Sequence, residues 1–74
     1  MQMNNLNVAK IQLNGNPHEI SSETNLIDLL NKLKIDKSKV AIEVNGEIIE
    51  KKKYINLILN QDDKVEIVHF IGGG

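Results

Sequence analysis

Residues 24–34 read Thr-Asn-Leu-Ile-Asp-Leu-Leu-Asn-Lys-Leu-Lys, and the other predicted elements are arranged around this stretch. Its apolar residues recur at helical spacing, so they form one face of an amphipathic helix of about two to three turns. Thr24 or Asn25, followed by Asp28 in the first turn, gives the helix start. A helix this short does not persist alone in water, and it must therefore pack on a sheet.

A hairpin is predicted before the helix. Residues 9–13 alternate between apolar and polar side chains, which is the period of a half-buried strand. Asn14-Gly15 is a preferred centre of a type I′ turn, and residues 16–20 return antiparallel to the first strand. Pro17 cannot donate a backbone hydrogen bond, so this returning strand is expected at a sheet edge.

A second hairpin follows the helix. Residues 40–44 alternate in the same way, Asn45-Gly46 repeats the turn signal, and residues 47–50 form the return strand. Residues 54–59 are too apolar for an exposed loop and too few for a full helix, so a short turn or 3₁₀ segment on the core is expected. Residues 61–64 form the turn into the last strand.

The last predicted strand, residues 65–71, is largely apolar on both faces from Ile67 onward. One helix can cover only one face of a small sheet, so Val68 and Phe70 are expected on an exposed apolar surface that binds a protein partner. Packing in the core is the alternative for Phe70, the only phenylalanine in the chain. For His69, a surface or strand-packing role is weighed against a partner contact.

These elements predict an α+β fold of the β-grasp, or ubiquitin-like, type. A mixed sheet of four to five strands packs on one helix, with the first and last strands parallel at the sheet centre. Residues 1–71 form a single domain, and residues 72–74 form a flexible C-terminal Gly-Gly-Gly arm.

Composition excludes several kinds of function. The 74 residues include 9 Lys, no Arg, 10 acidic residues and no Cys, with a net charge of -1. Thiolate zinc sites and cysteine nucleophiles are therefore excluded, and nucleic acid is not the expected partner. The run Lys51-Lys52-Lys53 is interpreted as a solvated turn in preference to a phosphate site. His18 and His69 suggest no metal site, and neither a membrane span nor a secretion signal is found, so a cytoplasmic protein is expected.

The end of the sequence, Phe70-Ile71-Gly72-Gly73-Gly74, carries the candidate chemistry. Three glycines form a thin arm that can enter a narrow active site of another protein. A terminal carboxylate has a pKa of roughly 3.3–3.7 and is a poor electrophile, so it needs activation by ATP to become transferable. The alternative is that the glycines are a frayed end or an added linker.

Nearly the whole chain resembles the ThiS family, the ubiquitin-like sulfur carriers of thiazole synthesis in the thiamine pathway. The resemblance rests on Ile11-Gln12-Leu13-Asn14-Gly15, Leu29-Leu30, Val44-Asn45-Gly46-Glu47-Ile48-Ile49 and Val65-Glu66-Ile67-Val68-His69-Phe70-Ile71-Gly72-Gly73-Gly74. Asp62-Asp63 stands where the family often has Gly-Asp, which bears on turn geometry only. The small subunit of molybdopterin synthase shares the Gly-Gly end and is the second candidate family.

The resemblance implies a protein cosubstrate that is not an enzyme and binds no cofactor. The activating enzyme ThiF uses ATP to adenylate Gly74, a cysteine desulfurase supplies sulfur, and the Gly74 thiocarboxylate delivers it to thiazole synthase, ThiG. Gly72 and Gly73 give the arm its reach, and Val68, Phe70 and Ile71 bind the partner. The alternatives left open are a ubiquitin-like protein modifier and a β-grasp interaction module with an inert tail.

Overall fold

The computed structural model describes residues 7–71, in which five strands form one mixed sheet against a single helix. The elements are β1 (Val8–Leu13), β2 (Asn16–Ser21), α1 (Leu26–Leu33), β3 (Val40–Val44), β4 (Glu47–Ile48) and β5 (Lys64–His69), with 3₁₀ turns at Lys37–Lys39 and Lys51–Lys53. The strand order is β2-β1-β5-β3-β4, with β5 parallel to β1 and antiparallel to β3. The predicted β-grasp fold is confirmed, whereas the predicted arm, residues 72–74, lies outside the described residues.

Both predicted hairpin turns are present. Asn14 and Gly15 have φ of 49° and 85°, and Asn45 and Gly46 have φ of 54° and 86°. Two consecutive residues with positive φ are the signature of a type I′ turn, whose twist matches that of the flanking strands. β2 lies at the sheet edge, as Pro17 predicts.

The turn before β5 requires the left-handed backbone that a glycine would supply. Asp62, at the position where glycine is frequent in the ThiS family, has φ of 71°. Aspartate tolerates this conformation better than most residues with a side chain. Asp62 therefore supplies the positive φ that this turn needs without a glycine.

Helix α1 is capped at both ends by residues close to it in the sequence. The Asn25 side chain accepts a hydrogen bond from the Asp28 amide at 2.7 Å, and the Asp28 carboxylate accepts one from the Asn25 amide at 3.4 Å. This capping box satisfies amides that the first helical turn leaves unpaired. Lys34, with φ of 61°, ends the helix in a left-handed conformation.

The core lies between α1 and one face of the sheet. Its buried apolar residues are Ala9, Ile11, Ile20, Leu26, Leu29, Leu30, Val40, Ile42, Val44, Tyr54, Leu59, Val65 and Ile67. Within residues 54–59, Tyr54 and Leu59 are buried as the apolar pattern predicts. Residues 54–56 form the predicted short turn, and a 3₁₀ turn precedes it on the lysine run Lys51–Lys53. Tyr54 follows this turn directly and points into the core.

Two strands are shorter than predicted. β4 contains two residues instead of the four in 47–50, and β5 ends at His69 instead of residue 71. β5 ends at His69 because neither neighbouring strand continues beyond it. β3 begins at Val40, which pairs with His69, and β1 has already turned at Asn14. His69 is exposed and the Phe70 amide still donates to the Lys39 carbonyl at 2.9 Å.

Candidate partner-binding surface and C-terminal segment

The face of the sheet opposite α1 carries an apolar area at the C-terminal end of β5. Val68 is 54% exposed and Phe70 57% exposed. Ala41 pairs with Val68 across β3 and β5, and paired residues project from the same face of a sheet. We call Ala41, Glu43, Glu66, Val68 and Phe70 the outer face. The exposure of Phe70 confirms its predicted place on the surface and excludes the core alternative.

The outer face changes from apolar to acidic along β5. Glu43 and Glu66 are directly paired across β3 and β5, two positions before the pair of Ala41 and Val68. Within residues 7–71, neither carboxylate has a lysine ammonium within 4.0 Å. Like charges placed directly opposite each other destabilise a sheet. The surface thus combines apolar area with negative charge that the described residues do not neutralise.

Two turn asparagines fix the position of β5. The Ile67 amide donates to Asn14 Oδ1 at 2.7 Å, and Asn14 Nδ2 donates to the Ile67 carbonyl at 3.2 Å. On the other side, the Lys64 amide donates to Asn45 Oδ1 at 2.9 Å. Each side chain supplies hydrogen bonds where the neighbouring strand has turned away. These contacts position the strand that leads to the C-terminal segment.

Lys51 reaches across the sheet edge to Phe70. Its Nζ donates to the Val40 carbonyl at 3.0 Å and lies 5.4 Å from the centroid of the Phe70 ring. This distance is within the range of a cation–π contact. No local sequence pattern predicts this contact, because Lys51 and Phe70 are brought together only by the sheet topology.

The candidate sulfur-carrying residue follows this surface in the chain. Ile71, the last described residue, is 98% exposed. The structure therefore brings Val68 and Phe70 onto one face and leaves Ile71 exposed. Gly72, Gly73 and Gly74 lie outside the described residues, and their predicted roles stay predictions.

The remaining candidates do not form a second site. His18 lies half-buried on β2 and His69 is exposed on β5. Among residues 7–71, no three His, Asp or Glu side chains are grouped as metal ligands. Over the same residues, the helices lack the length and the apolar run that crossing a bilayer requires.

Comparison with known proteins decides the family. The family model described as the ThiS family matches residues 11–74, which include most of the first hairpin, the whole second hairpin, the outer face and the three glycines. The chain belongs to the ThiS family. The resemblance seen in the sequence is thereby confirmed.

Relatives of this ThiS-family chain are of two sizes. The sulfur carrier protein ThiS of Bacillus subtilis is 42% identical over 86% of this chain and 98% of its own length. A thiazole synthase of Magnetococcus marinus is 45% identical over 88% of this chain, but the chain spans only 20% of that protein. The crystal structure of ThiS from Geobacter metallireducens superimposes with a TM-score of 0.76 at 31% identity, covering 88% of this chain and 99% of that one.

Proposed function

We propose that this chain is a sulfur carrier of thiamine biosynthesis and that Gly74 carries the sulfur. The observation that supports this proposal most directly is the ThiS-family match, which extends to Gly74 through the exposed residues Phe70 and Ile71. The chain acts as a protein cosubstrate, and the bond-making steps take place in its partners.

The proposed chemistry begins at the carboxylate of Gly74. ThiF joins this carboxylate to the adenylyl group of ATP and releases pyrophosphate. The terminal sulfur of a cysteine desulfurase persulfide then displaces AMP at the carbonyl carbon and forms an acyl disulfide. A thiol such as free cysteine cleaves this disulfide, which releases the thiocarboxylate and leaves the thiol joined to the desulfurase cysteine as a disulfide. The absence of cysteine in the chain supports this route, because no internal thiol competes for the activated carbonyl.

A thiazole synthase of the ThiG type is the proposed acceptor of the sulfur. In Magnetococcus marinus, a segment similar to this chain forms part of a thiazole synthase, which supports a working association of the two proteins. The outer face supplies the contact: Val68 and Phe70 bind the synthase, and Ile71 leads Gly72 and Gly73 toward its active site. An aromatic side chain that becomes buried on binding, surrounded by apolar area, is the usual centre of such an interface.

The decisive experiment is an intact-mass measurement. The protein is incubated with ThiF, ATP, a cysteine desulfurase and cysteine, and we expect one oxygen to be replaced by sulfur. Alkylation should consume the product, and fragmentation should assign the sulfur to Gly74. Omission of ATP is the matched control, since no adenylate can form without it.

A variant lacking Gly74 tests the assignment of the residue. It should gain no sulfur, while its urea unfolding curve overlays that of the wild type. Sulfur transfer by the truncated variant at the wild-type rate would contradict the role of Gly74. An unmodified wild-type mass, with a known carrier loaded in the same mixture, would contradict the proposal, and lysine-linked conjugates in extracts would favour a protein modifier.

A further inference from the structure

Lys51 differs from the two lysines that follow it. Lys52 and Lys53 lie on the exposed side of the 3₁₀ turn, with their Nζ atoms 4.0 and 3.8 Å from a Glu50 carboxylate oxygen. Lys51 Nζ is instead held by the Val40 carbonyl at 3.0 Å. One lysine of the run thus has a defined position on the protein, while its neighbours make only exposed charge pairs of little energetic weight.

The Val40 carbonyl can accept this bond because β4 is short. The ladder between β3 and β4 contains the pairs Glu43–Ile48 and Val44–Glu47, and Ile49 still donates its amide to the Ile42 carbonyl at 3.0 Å. Val40 lies beyond the last of these contacts. Lys51 therefore occupies the place at the edge of β3 that a longer β4 would have filled.

The same ammonium lies against the residue where β5 ends. Phe70 is fixed at its backbone by the bond from its amide to the Lys39 carbonyl at 2.9 Å, and its ring centroid lies 5.4 Å from Lys51 Nζ. An exposed ring with one such contact loses part of its rotational freedom before any partner arrives. The next residue, Ile71, is 98% exposed and has no comparable anchor.

We propose that Lys51 is a positioning residue: it orients the Phe70 ring and so presents Phe70 and Ile71 to the activating enzyme in a preorganised arrangement. This inference rests on the proposed function. Ordering a side chain on binding lowers affinity, and a ring already held on the free carrier avoids that loss. Lys51 acts through Phe70 and takes no part in the chemistry at Gly74.

The test compares Lys51→Met with Lys52→Met. Methionine keeps most of the side-chain length and removes the charge, and Lys52 belongs to the same turn without contacting Phe70. Loss of one exposed cation–π contact should raise the KM of ThiF for the carrier about two- to fivefold. The kcat for adenylation should stay at the wild-type value. Lys52→Met should leave both parameters unchanged, and Lys51→Arg should restore KM because arginine keeps the charge.

Two further measurements separate positioning from general stability. Phe70 is the only phenylalanine, so its labelled ring gives one unambiguous NMR signal. In Lys51→Met, but not in Lys52→Met, that signal should shift and narrow toward the signal of a freely rotating ring. In a Phe70→Leu chain, Lys51→Met should no longer change KM, because the contact is already absent.

The outcomes distinguish this inference from the proposed function. The role of Lys51 would be overturned if Lys51→Met had the same KM and the same Phe70 ring signal as Lys52→Met. This holds even if the wild type is loaded with sulfur. An equal rise of KM in the Phe70→Leu background would also overturn it. Failure of ThiF to adenylate the wild type would contradict the proposed function, and an unshifted ring signal would then independently refute the contact.

Discussion

At the scale of single residues, Asn14 combines two tasks. Its backbone adopts φ of 49° in the hairpin turn, and its side chain exchanges two hydrogen bonds with the backbone of Ile67. The first task depends on neighbouring residues and is visible in the sequence as Asn-Gly. The second joins positions 53 residues apart and depends on the completed sheet.

Asn14→Gly separates these two tasks, because glycine keeps the positive φ and loses the side chain. We expect the free energy of unfolding to fall by about 1–3 kcal/mol, the effect of two lost hydrogen bonds and an unpaired amide. Urea denaturation measures the loss, and amide exchange should accelerate at Ile67. A variant as stable as the wild type would show that the turn conformation alone positions β5.

The buried position of Tyr54 leads to a second prediction at this scale. Its side chain is fully buried, and its hydroxyl has no hydrogen-bond partner among the described residues. Burial raises the pKa of Tyr54 above its ordinary value of 10.0. The folded protein therefore holds the phenolic proton more tightly than the unfolded chain.

Tyr54→Phe should leave the free energy of unfolding at neutral pH unchanged or raise it by up to about 1 kcal/mol, because an unpaired buried hydroxyl is removed. The unfolded wild type loses its phenolic proton first as the pH rises above 10. Its stability should thus decline through that range, while Tyr54→Phe shows a smaller decline. Urea titrations at neutral and alkaline pH test both statements. A loss above 1 kcal/mol at neutral pH would reveal a hydrogen bond to the hydroxyl.

At the scale of elements, the pairing of β3 with β5 places Glu43 directly opposite Glu66. Glu66→Gln removes the repulsion while keeping the shape of the side chain. We expect the free energy of unfolding to rise by about 0.2–1 kcal/mol at low ionic strength, and the gain should shrink in 1 M salt.

Glu19→Gln is the matched control for this pair. Glu19 lies opposite Lys10 across β1 and β2, so its neutralisation removes an attraction and should lower stability slightly. Thermal unfolding at two salt concentrations compares the variants. If both variants changed the melting temperature equally and in the same direction, net charge, and not cross-strand pairing, would control the effect.

The elements also show how far the sequence can be interpreted. Both type I′ turns, the helix start at Thr24 or Asn25 and the edge position of Pro17 were predictable, because each depends on residues within four positions of one another. The end of β5 and the two-residue β4 were not, because each is set by where a neighbouring strand stops. Lys51 was missed for the same reason: its partners, Val40 and Phe70, lie on other elements.

At the scale of the whole molecule, the sheet separates a face that packs in the core from an exposed face that we propose as the partner-binding surface. Phe70→Ala should reduce affinity for thiazole synthase about tenfold or more, since it removes the aromatic side chain that we propose as the anchor of this interface. The free energy of unfolding should change by less than about 1 kcal/mol, because Phe70 is 57% exposed. Calorimetric titration and urea denaturation measure the two quantities.

Ile67→Ala provides the opposite pattern for comparison. Ile67 is 6% exposed on the core face of β5, and its truncation should lower the free energy of unfolding by about 2–5 kcal/mol. If Phe70→Ala proved as destabilising as Ile67→Ala, Phe70 would have to be reassigned from the outer face to the core.

The central position of β5 has a consequence for synthesis on the ribosome. The two hairpins emerge first, but they lie on opposite sides of the strand that emerges after them. They cannot join into one sheet until β5 is available, and such late, long-range pairing makes folding slow relative to local structure. A nascent chain therefore exposes neither a finished core nor the outer face before β5 is translated. Chains whose translation stops before β5 therefore lack the surface that we propose for partner binding.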